Sequence, residues 1–168
     1  YSESEVIVVA GAEFAEYESE LKDFDQVSLI ENTQVDLGPF SSIQLAASHV
    51  LSTNPSYVFL KPIDVPLTSP HILRVLAENN SFNSNDVYSI LPSSKGRGGH
   101  PVILSRPLLN NILDMNPLDE DARLDRVINS LPIDKVLKIE VSNSEFSRNL
   151  NTPEQWAGWL KNQPNCPE

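Results

Sequence analysis

The stretch VIVVAG at residues 6–11 decides the fold, because an uninterrupted run of β-branched and small apolar residues is closed by a glycine. Such a run is typical of a strand that is buried on both faces, as in a parallel sheet. Helical spacing follows at residues 14–22, and residues 27–30 form a second short apolar run. This order predicts a strand, a crossover helix and a parallel neighbouring strand.

The same alternation continues along the chain. Further strands are predicted at residues 57–60, 87–91, 101–104 and 136–141, with a loop at residues 92–99. Helix start signals lie at Ser41 or Ser42, at Ser69 before Pro70, and at Thr152 before Pro153. Alternating strands and helices predict an α/β fold with a mostly parallel sheet, and 168 residues suit a single domain over residues 1–168.

Composition excludes several classes of protein. A net charge of -11 argues against a protein that grips nucleic acid, whose phosphates require a basic surface. The single cysteine, Cys166, excludes a disulfide framework, and the three histidines are too far apart in sequence for a zinc motif. No stretch approaches the roughly 20 consecutive apolar residues of a spanning helix. We therefore expect a cytoplasmic protein with neither a nucleic acid nor a membrane as its partner.

Asp64 is the only acidic residue between Asp36 and Glu78, and it lies just past a predicted buried strand. Pro62 and Pro66 stiffen the backbone on both sides of it. A lone, rigidly held carboxylate at a strand end suits a hard cation such as Mg2+, which also binds substrate phosphates. The alternative is an aspartate that merely caps a turn.

Two further segments could approach a ligand. Residues 93–101, SSKGRGGHP, combine three glycines with two basic residues, and His100 could be a substrate contact, a proton carrier or a packed turn residue. Residues 38–43, GPFSSI, place a glycine and two serines at a predicted helix start, which attracts anions. An ordinary helix cap is the alternative for the second segment.

Four stretches together resemble the MobA-like nucleotidyltransferase family, which includes the cytidylyl- and guanylyltransferases of molybdenum cofactor synthesis. They occur in the family's order, and the resemblance extends from Val6 to Leu160. The stretches are residues 32–42, similar to an Asn…Gly…Ser segment; FLKPIDVPL at 59–67, similar to a strand ending in Asp-x-Pro; GGHPV at 98–102; and NLNTPE at 149–154.

The resemblance implies a three-layer α/β sandwich of the nucleotide-diphospho-sugar transferase, Rossmann-like, type. It also implies Mg2+-dependent transfer of a nucleoside monophosphate from CTP or GTP to a phosphorylated acceptor such as molybdopterin, with release of pyrophosphate. Asp64 and His100 would be catalytic, and Asp64 and Asn149 would hold the metal. The implied substrate-binding residues are Gly38, Ser41, Ser42, Lys95, Arg97, Gly98, Gly99 and Pro101.

The chain departs from the family pattern at two places. Family members open with a strand and a glycine-rich loop bearing Arg and Lys, which grips the triphosphate, whereas the strand at residues 6–10 aligns with the family's second strand. We therefore expect a domain that lacks the first strand-loop-helix unit. Asn149 stands where related transferases often place a second metal carboxylate, and it can offer a carbonyl oxygen but no charge.

Two alternatives to a transferase stay open. The first is a non-catalytic module that binds a nucleotide or sugar nucleotide with the same fold. The second is an interaction domain whose acidic exterior binds a basic partner. Nucleotide binding with Mg2+ distinguishes the interaction domain from the other two, and a glycine-rich loop with Arg and Lys ahead of Tyr1 would favour catalysis.

Overall fold

The computed structural model describes residues 5–55, 57–66, 69–78, 86–142, 146 and 148–162. Strands and helices alternate along most of the chain, which confirms the predicted α/β class. None of the described helices combines the length and apolar character that a membrane span requires. In chain order the elements are β1 Val6–Ala10, α1 Phe14–Leu21, β2 Val27–Glu31, α2 Pro39–Leu51, β3 Tyr57–Leu60, α3 Pro70–Ala77, β4 Ser89–Ser94, β5 Arg97–Gly98, β6 Val102–Ser105, α4 Arg106–Asp114, α5 Leu124–Ser130, β7 Val136–Glu140 and α6 Pro153–Lys161, with 3-10 turns at Val35–Leu37 and Ile133–Lys135.

The chain divides into two compact units. The first comprises Tyr1–Val58 and Ser105–Pro132, and the second comprises Phe59–Leu104 and Ile133–Glu168. In the first unit, β1 and β2 pair in parallel from Val6 opposite Val27 to Ala10 opposite Glu31, as the apolar runs predicted. Helix α2 is joined to the end of α4 by Gln44, whose amide donates to the carbonyl of Ile112 at 2.9 Å.

The loop between β2 and α2 is closed by Asn32, which is only 5% exposed. Its amide nitrogen donates to the hydroxyl oxygens of Ser41 and Ser42, both at 2.9 Å. Its amide oxygen accepts the backbone N–H of Gln34 at 2.9 Å. The Ser41 hydroxyl in turn donates to the carbonyl of Gly38 at 2.7 Å. Both serines are thus hydrogen-bonded within the protein and hold the loop in one conformation.

The N-cap of helix α2 lies three residues before Ser41, so the predicted cap at Ser41 or Ser42 is wrong. Pro39 is the first helical residue, and Gly38 is the N-cap. The reason is conformational. Gly38 has φ 81, in the region that favours glycine, and the proline ring supplies the φ of the first helical turn without requiring a backbone donor.

A mixed five-stranded sheet contains β3, β4, β5, β6 and β7. The strand order is β3-β6-β4-β5, and β7 also pairs with β4. The β4–β7 pairing is parallel, from Ser89 opposite Val136 to Ser93 opposite Glu140, whereas β4 is antiparallel to both β5 and β6. The buried core on this sheet consists of Ile72, Leu76, Ile90, Ile103 and Phe146.

The antiparallel pairings arise at a tight hairpin where a loop was predicted over residues 92–99. Strand β4 starts at Ser89 and continues through Ser94, past Pro92, and β5 returns after two residues. Those residues, Lys95 and Gly96, have φ 51 and φ 80, and positive φ at both positions is typical of the two-residue turn that matches strand twist. The loop prediction was wrong because Pro92 was taken as the end of the strand.

We expect Asn32→Ala to lower the free energy of unfolding by about 1–3 kcal/mol, because the hydroxyl of the buried Ser41 and the backbone N–H of Gln34 lose their partner. Urea denaturation measures this change. Asn116→Ala is the matched control, since the Asn116 amide bonds an exposed aspartate, Asp119, and should change the same quantity by about 0.5 kcal/mol or less. Equal stabilities of the two variants would contradict the role of Asn32.

Candidate functional site

Asp64 lies in the loop that follows β3, and the residues after it fix the loop to the protein. Val65 is 1% exposed and Pro66 is fully buried, so both act as anchors. The backbone N–H of Val65 donates to the carbonyl of Pro62 at 3.3 Å, which closes a turn around residue 64. Ile63 is 76% exposed and projects from the same turn. The carboxylate therefore stands on a short, anchored loop at the end of a strand.

Two hydrogen bonds join Asp64 to the segment that precedes α6. The backbone N–H of Leu150 donates to the carbonyl of Asp64 at 2.7 Å. The side-chain amide of Asn149 donates to Oδ2 of Asp64 at 2.8 Å. Leu150 is 3% exposed and anchors this segment in turn. The two residues predicted to hold a metal are thus brought together, although they are 85 positions apart in the sequence.

The position of Asn149 depends on how α6 begins. Thr152 is its N-cap, as predicted, and forms a capping box with Gln155. The Gln155 side-chain oxygen also accepts the backbone N–H of Asn151 at 2.6 Å. Because these bonds fix the backbone just before the helix, the TPEQ sequence at residues 152–155 determines where the preceding asparagine lies.

His100 belongs to the same cluster. Its backbone N–H donates to the carbonyl of Phe146 at 2.9 Å, and the His100–Pro101 peptide bond is cis. Its ring donates to the carbonyl of Leu60, the last residue of β3. Burial lowers the pKa of His100 below its ordinary value of 6.5, while the Leu60 carbonyl and the Asp64 carboxylate oppose that shift. Burial prevails, so the imidazole is neutral at pH 7.

Lys61 is a member of the cluster that the sequence interpretation missed. It follows Leu60 directly, and its ammonium donates to the carbonyl of Pro62 at 3.1 Å. Burial lowers the pKa of Lys61, opposed by the Asp64 carboxylate, and the Lys61 charge in turn helps to lower the pKa of His100. The sequence did contain a signal for Lys61. The residue lies between a strand end and an isolated aspartate, in an acid-poor part of the chain.

Gly98 and Gly99 serve packing within the protein. A Cβ on Gly99 would lie 2.5 Å from the carbonyl oxygen of Phe146 and would also collide with the Phe146 ring. A Cβ on Gly98 would meet the flexible end of the Leu91 side chain. The prediction that these glycines let the backbone approach a ligand stays a prediction, since the protein's own packing already requires them.

The remaining predicted substrate-binding residues lie in other surroundings. Lys95 and Arg97 are exposed in the hairpin, where the backbone N–H of Lys95 donates to Glu140 Oε1 at 2.9 Å. Within the described ranges, no hydrogen bond or ion pair joins either residue to Asp64. Pro101 is fully buried. The predicted substrate contacts of these residues, and those of Gly38, Ser41 and Ser42 in the first unit, stay predictions.

The oxygen atoms at this site suit a hard divalent cation that brings most of its own ligands. Asp64 supplies a carboxylate, and the side-chain amide of Asn149 can supply a carbonyl oxygen. Nowhere in the described part of the chain do three His, Cys, Asp or Glu side chains form a ligand set. Mg2+ is commonly held by one or two carboxylates plus water and substrate phosphates, so the residues fit a cation that arrives with a phosphorylated substrate.

Sequence comparison identifies the family. The family model described as MobA-like NTP transferase domain matches residues 2–136, about four fifths of the chain. The chain belongs to this family. The match includes Asp64 and His100, whereas Asn149 lies beyond its end. No curated protein matches the chain.

Several solved structures have a similar fold. Rv0371c from Mycobacterium tuberculosis H37Rv, solved as a complex with manganese, has a TM-score of 0.69 at 17% identity, covering 95% of this chain and 79% of its own. The bifunctional IspDF from Campylobacter jejuni has a TM-score of 0.65 at 17% identity, covering 94% and 42% of the two chains. Molybdopterin-guanine dinucleotide biosynthesis protein A from Archaeoglobus fulgidus has a TM-score of 0.58 at 14% identity, covering 89% and 75%.

At these identities the similarity shows the fold alone. The fold expected from the resemblance, α/β of the Rossmann-like nucleotidyltransferase type, is confirmed by the three structures. The family expected from the four sequence stretches is confirmed by the family model.

We expect Gly99→Ala to lower the free energy of unfolding by about 1–3 kcal/mol, because the added methyl group displaces Phe146. The matched control is Gly158→Ala in α6, where a Cβ meets open space. Alanine at this helical position should raise the free energy of unfolding by about 0.5–1 kcal/mol. Thermal and urea denaturation measure both changes. A Gly99→Ala variant as stable as the wild type would show that Phe146 does not pack against this position.

We expect the pKa of His100 in the metal-free protein to lie below 6.5, to rise in Lys61→Met and to fall in Asp64→Asn. The first substitution removes a repelling charge, and the second removes an attracting one. Ring-proton NMR titration measures the pKa, and His100→Gln identifies the signal among the three histidines. Lys138→Met, on an exposed position of β7, should leave the value unchanged.

The lowered pKa of His100 also makes the free energy of unfolding depend on pH. Because the unfolded chain binds this proton more strongly than the folded one, His100 makes the free energy of unfolding fall as the pH drops below about 6.5. His100→Gln should reduce that loss. An unchanged pH dependence of unfolding in His100→Gln would contradict the burial of the imidazole.

Proposed function

We propose that this protein is a nucleotidyltransferase. It transfers a nucleoside monophosphate from a nucleoside triphosphate, with CTP and GTP as the first candidates, to a phosphorylated small-molecule acceptor such as molybdopterin. A phosphate oxygen of the acceptor attacks the α-phosphorus, a new P–O bond forms, and the bond to the β-phosphate oxygen breaks. Pyrophosphate leaves with that electron pair. Membership of the MobA-like NTP transferase domain family and the likeness to the Archaeoglobus protein support this choice.

The observation that carries the proposal is the convergence of Asp64, Asn149 and His100. Residues from three distant parts of the chain supply one carboxylate, one amide and one neutral imidazole within a single cluster. Each has its backbone tied down by a hydrogen bond or an adjoining buried residue. A packing role alone would not explain why polar side chains of these three kinds are collected at the end of a strand.

Asp64, with the Asn149 carbonyl as a second oxygen, would hold a divalent cation, and the manganese of the Rv0371c structure makes Mg2+ and Mn2+ the ions to test. A bound cation of this kind neutralises phosphate charge and polarises the P–O bonds. Asp64 contributes a fixed negative charge on an anchored loop. His100, neutral at pH 7 and oriented by Leu60, contributes a hydrogen-bonding group rather than a charge.

A second candidate, a non-catalytic nucleotide-binding module, is favoured by one observation. The Asn149 amide donates to the Asp64 carboxylate, so the pair carries one negative charge where two carboxylates would carry two. A weaker cation site of this kind is compatible with nucleotide binding without transfer. Pyrophosphate release measured beside binding separates the two candidates.

We expect Asp64→Asn to reduce pyrophosphate release by at least about 100-fold, because the metal-holding charge is lost while the side chain keeps its shape. The assay uses CTP and GTP in turn with Mg2+ or Mn2+ and a phosphorylated pterin acceptor. The matched control is Asp134→Asn, an exposed carboxylate in the Ile133–Lys135 turn, which should retain wild-type rates.

Thermal-shift titration with each nucleotide and Mg2+ completes the test. The wild type should be stabilised by nucleotide and metal together, and Asp64→Asn should lose that stabilisation. Stabilisation without any pyrophosphate release would favour the non-catalytic module. Equal stabilisation of wild type and Asp64→Asn would remove Asp64 from the metal role.

A further inference from the structure

Lys61 has an unusual position for a surface lysine. It is the first residue after β3, and its side chain is half-buried instead of extending into solvent. Its ammonium folds back onto the loop and donates to the carbonyl of Pro62, its own neighbour, at 3.1 Å. A single neutral acceptor satisfies only one of the three N–H donors of the ammonium group.

The ammonium lies against the turn that carries Asp64. The Pro62 carbonyl that accepts from the Lys61 ammonium also accepts the backbone N–H of Val65, and this second bond closes the turn around Asp64. The Asp64 carboxylate accordingly opposes the lowering of the Lys61 pKa, and the Lys61 charge helps to lower the pKa of His100. Nevertheless, none of the ion pairs among the described residues joins Lys61 to Asp64. The ammonium is therefore bonded to the Asp64 turn but, among the described ion pairs, is not paired with the carboxylate itself.

A phosphorylated substrate needs a positive charge at this place. Asp64 alone would repel a triphosphate, and a protein of net charge -11 has no general attraction for one. Lys95 and Arg97, the basic residues that the sequence suggested, lie in the hairpin and have no hydrogen bond or ion pair to Asp64 within the described ranges. Lys61, by contrast, is hydrogen-bonded to the carbonyl that closes the turn around Asp64.

We propose that Lys61 binds a phosphate oxygen of the substrate at the Asp64 site, leaving the Pro62 carbonyl for the stronger, charged acceptor. This inference rests on the proposed function, since it assumes a phosphorylated substrate at Asp64. The exchange is favourable because a hydrogen bond between two charged groups is stronger than one to a neutral carbonyl. Lys61 then supplies the local positive charge that the exposed hairpin residues do not.

The experiment measures binding of CTP and GTP with Mg2+ by isothermal titration calorimetry to the full chain. We expect Lys61→Met to weaken binding roughly tenfold and Lys61→Arg, which keeps the charge, to stay within about threefold of the wild type. Lys61→Gln should resemble Lys61→Met. Lys138→Met, which removes an exposed charge from β7, is the matched control and should bind as the wild type does.

The salt dependence of nucleotide binding is a second measurement. A purely structural role of Lys61 would leave it unchanged. Because Lys61 would neutralise a phosphate charge, its removal should make binding of the same nucleotide less sensitive to added salt, and Lys61→Arg should restore the wild-type dependence. Unchanged melting temperatures of the four variants would show that the chain still folds.

The outcomes separate this inference from the proposed function. Nucleotide binding that is as tight and as salt-dependent in Lys61→Met and Lys61→Gln as in the wild type overturns the inference and leaves the nucleotidyltransferase proposal intact. Failure of the wild type itself to bind either nucleotide overturns both. Weakening in Lys138→Met equal to that in Lys61→Met would show a general charge effect and would likewise overturn the role of Lys61.

Discussion

The candidate site depends on the double connection between Asp64 and the segment at residues 149–150. A backbone hydrogen bond of 2.7 Å fixes the main chain of the loop, and a side-chain hydrogen bond of 2.8 Å fixes the carboxylate. The first bond would form with any residue at position 64, whereas the second requires a carboxylate facing an amide. Together they hold a charged group at the end of a strand, where an unsupported aspartate would sample several rotamers.

The surrounding residues of the second unit support that arrangement from two directions. On one side, the capping box of α6 fixes the backbone before the helix and thereby the asparagine. On the other, His100 is held through its backbone by Phe146 and through its ring by Leu60. The absence of a side chain on Gly99 lets Phe146 approach closely enough to do this. The turn at Gly99, which the sequence predicted to bind a ligand, therefore also positions His100.

Local signals in the sequence predicted much of the fold. The strands β1 and β3 and the helix starts at Ser69 and Thr152 depend on neighbouring residues only, and they occur where the pattern placed them. The glycine-rich hairpin was expected, but its loop was predicted too long, because positive φ at Lys95 carries no sequence signal and Pro92 resembled a strand end. The meeting of Asp64 with Asn149 came from the family resemblance, whereas the place of Lys61 depends on side-chain burial, which no short motif encodes.

The amide at position 149 has a consequence for the site without a ligand. A second carboxylate there would repel Asp64 across a gap of hydrogen-bond length, and the two loops would separate until a cation entered between them. An asparagine attracts its neighbour through its NH2 group, and a half-turn about its Cβ–Cγ bond presents its oxygen to the same region with no movement of the backbone. The two loops can therefore remain assembled before a ligand binds, and the weaker attraction for a metal is offset by two side chains that are already in place.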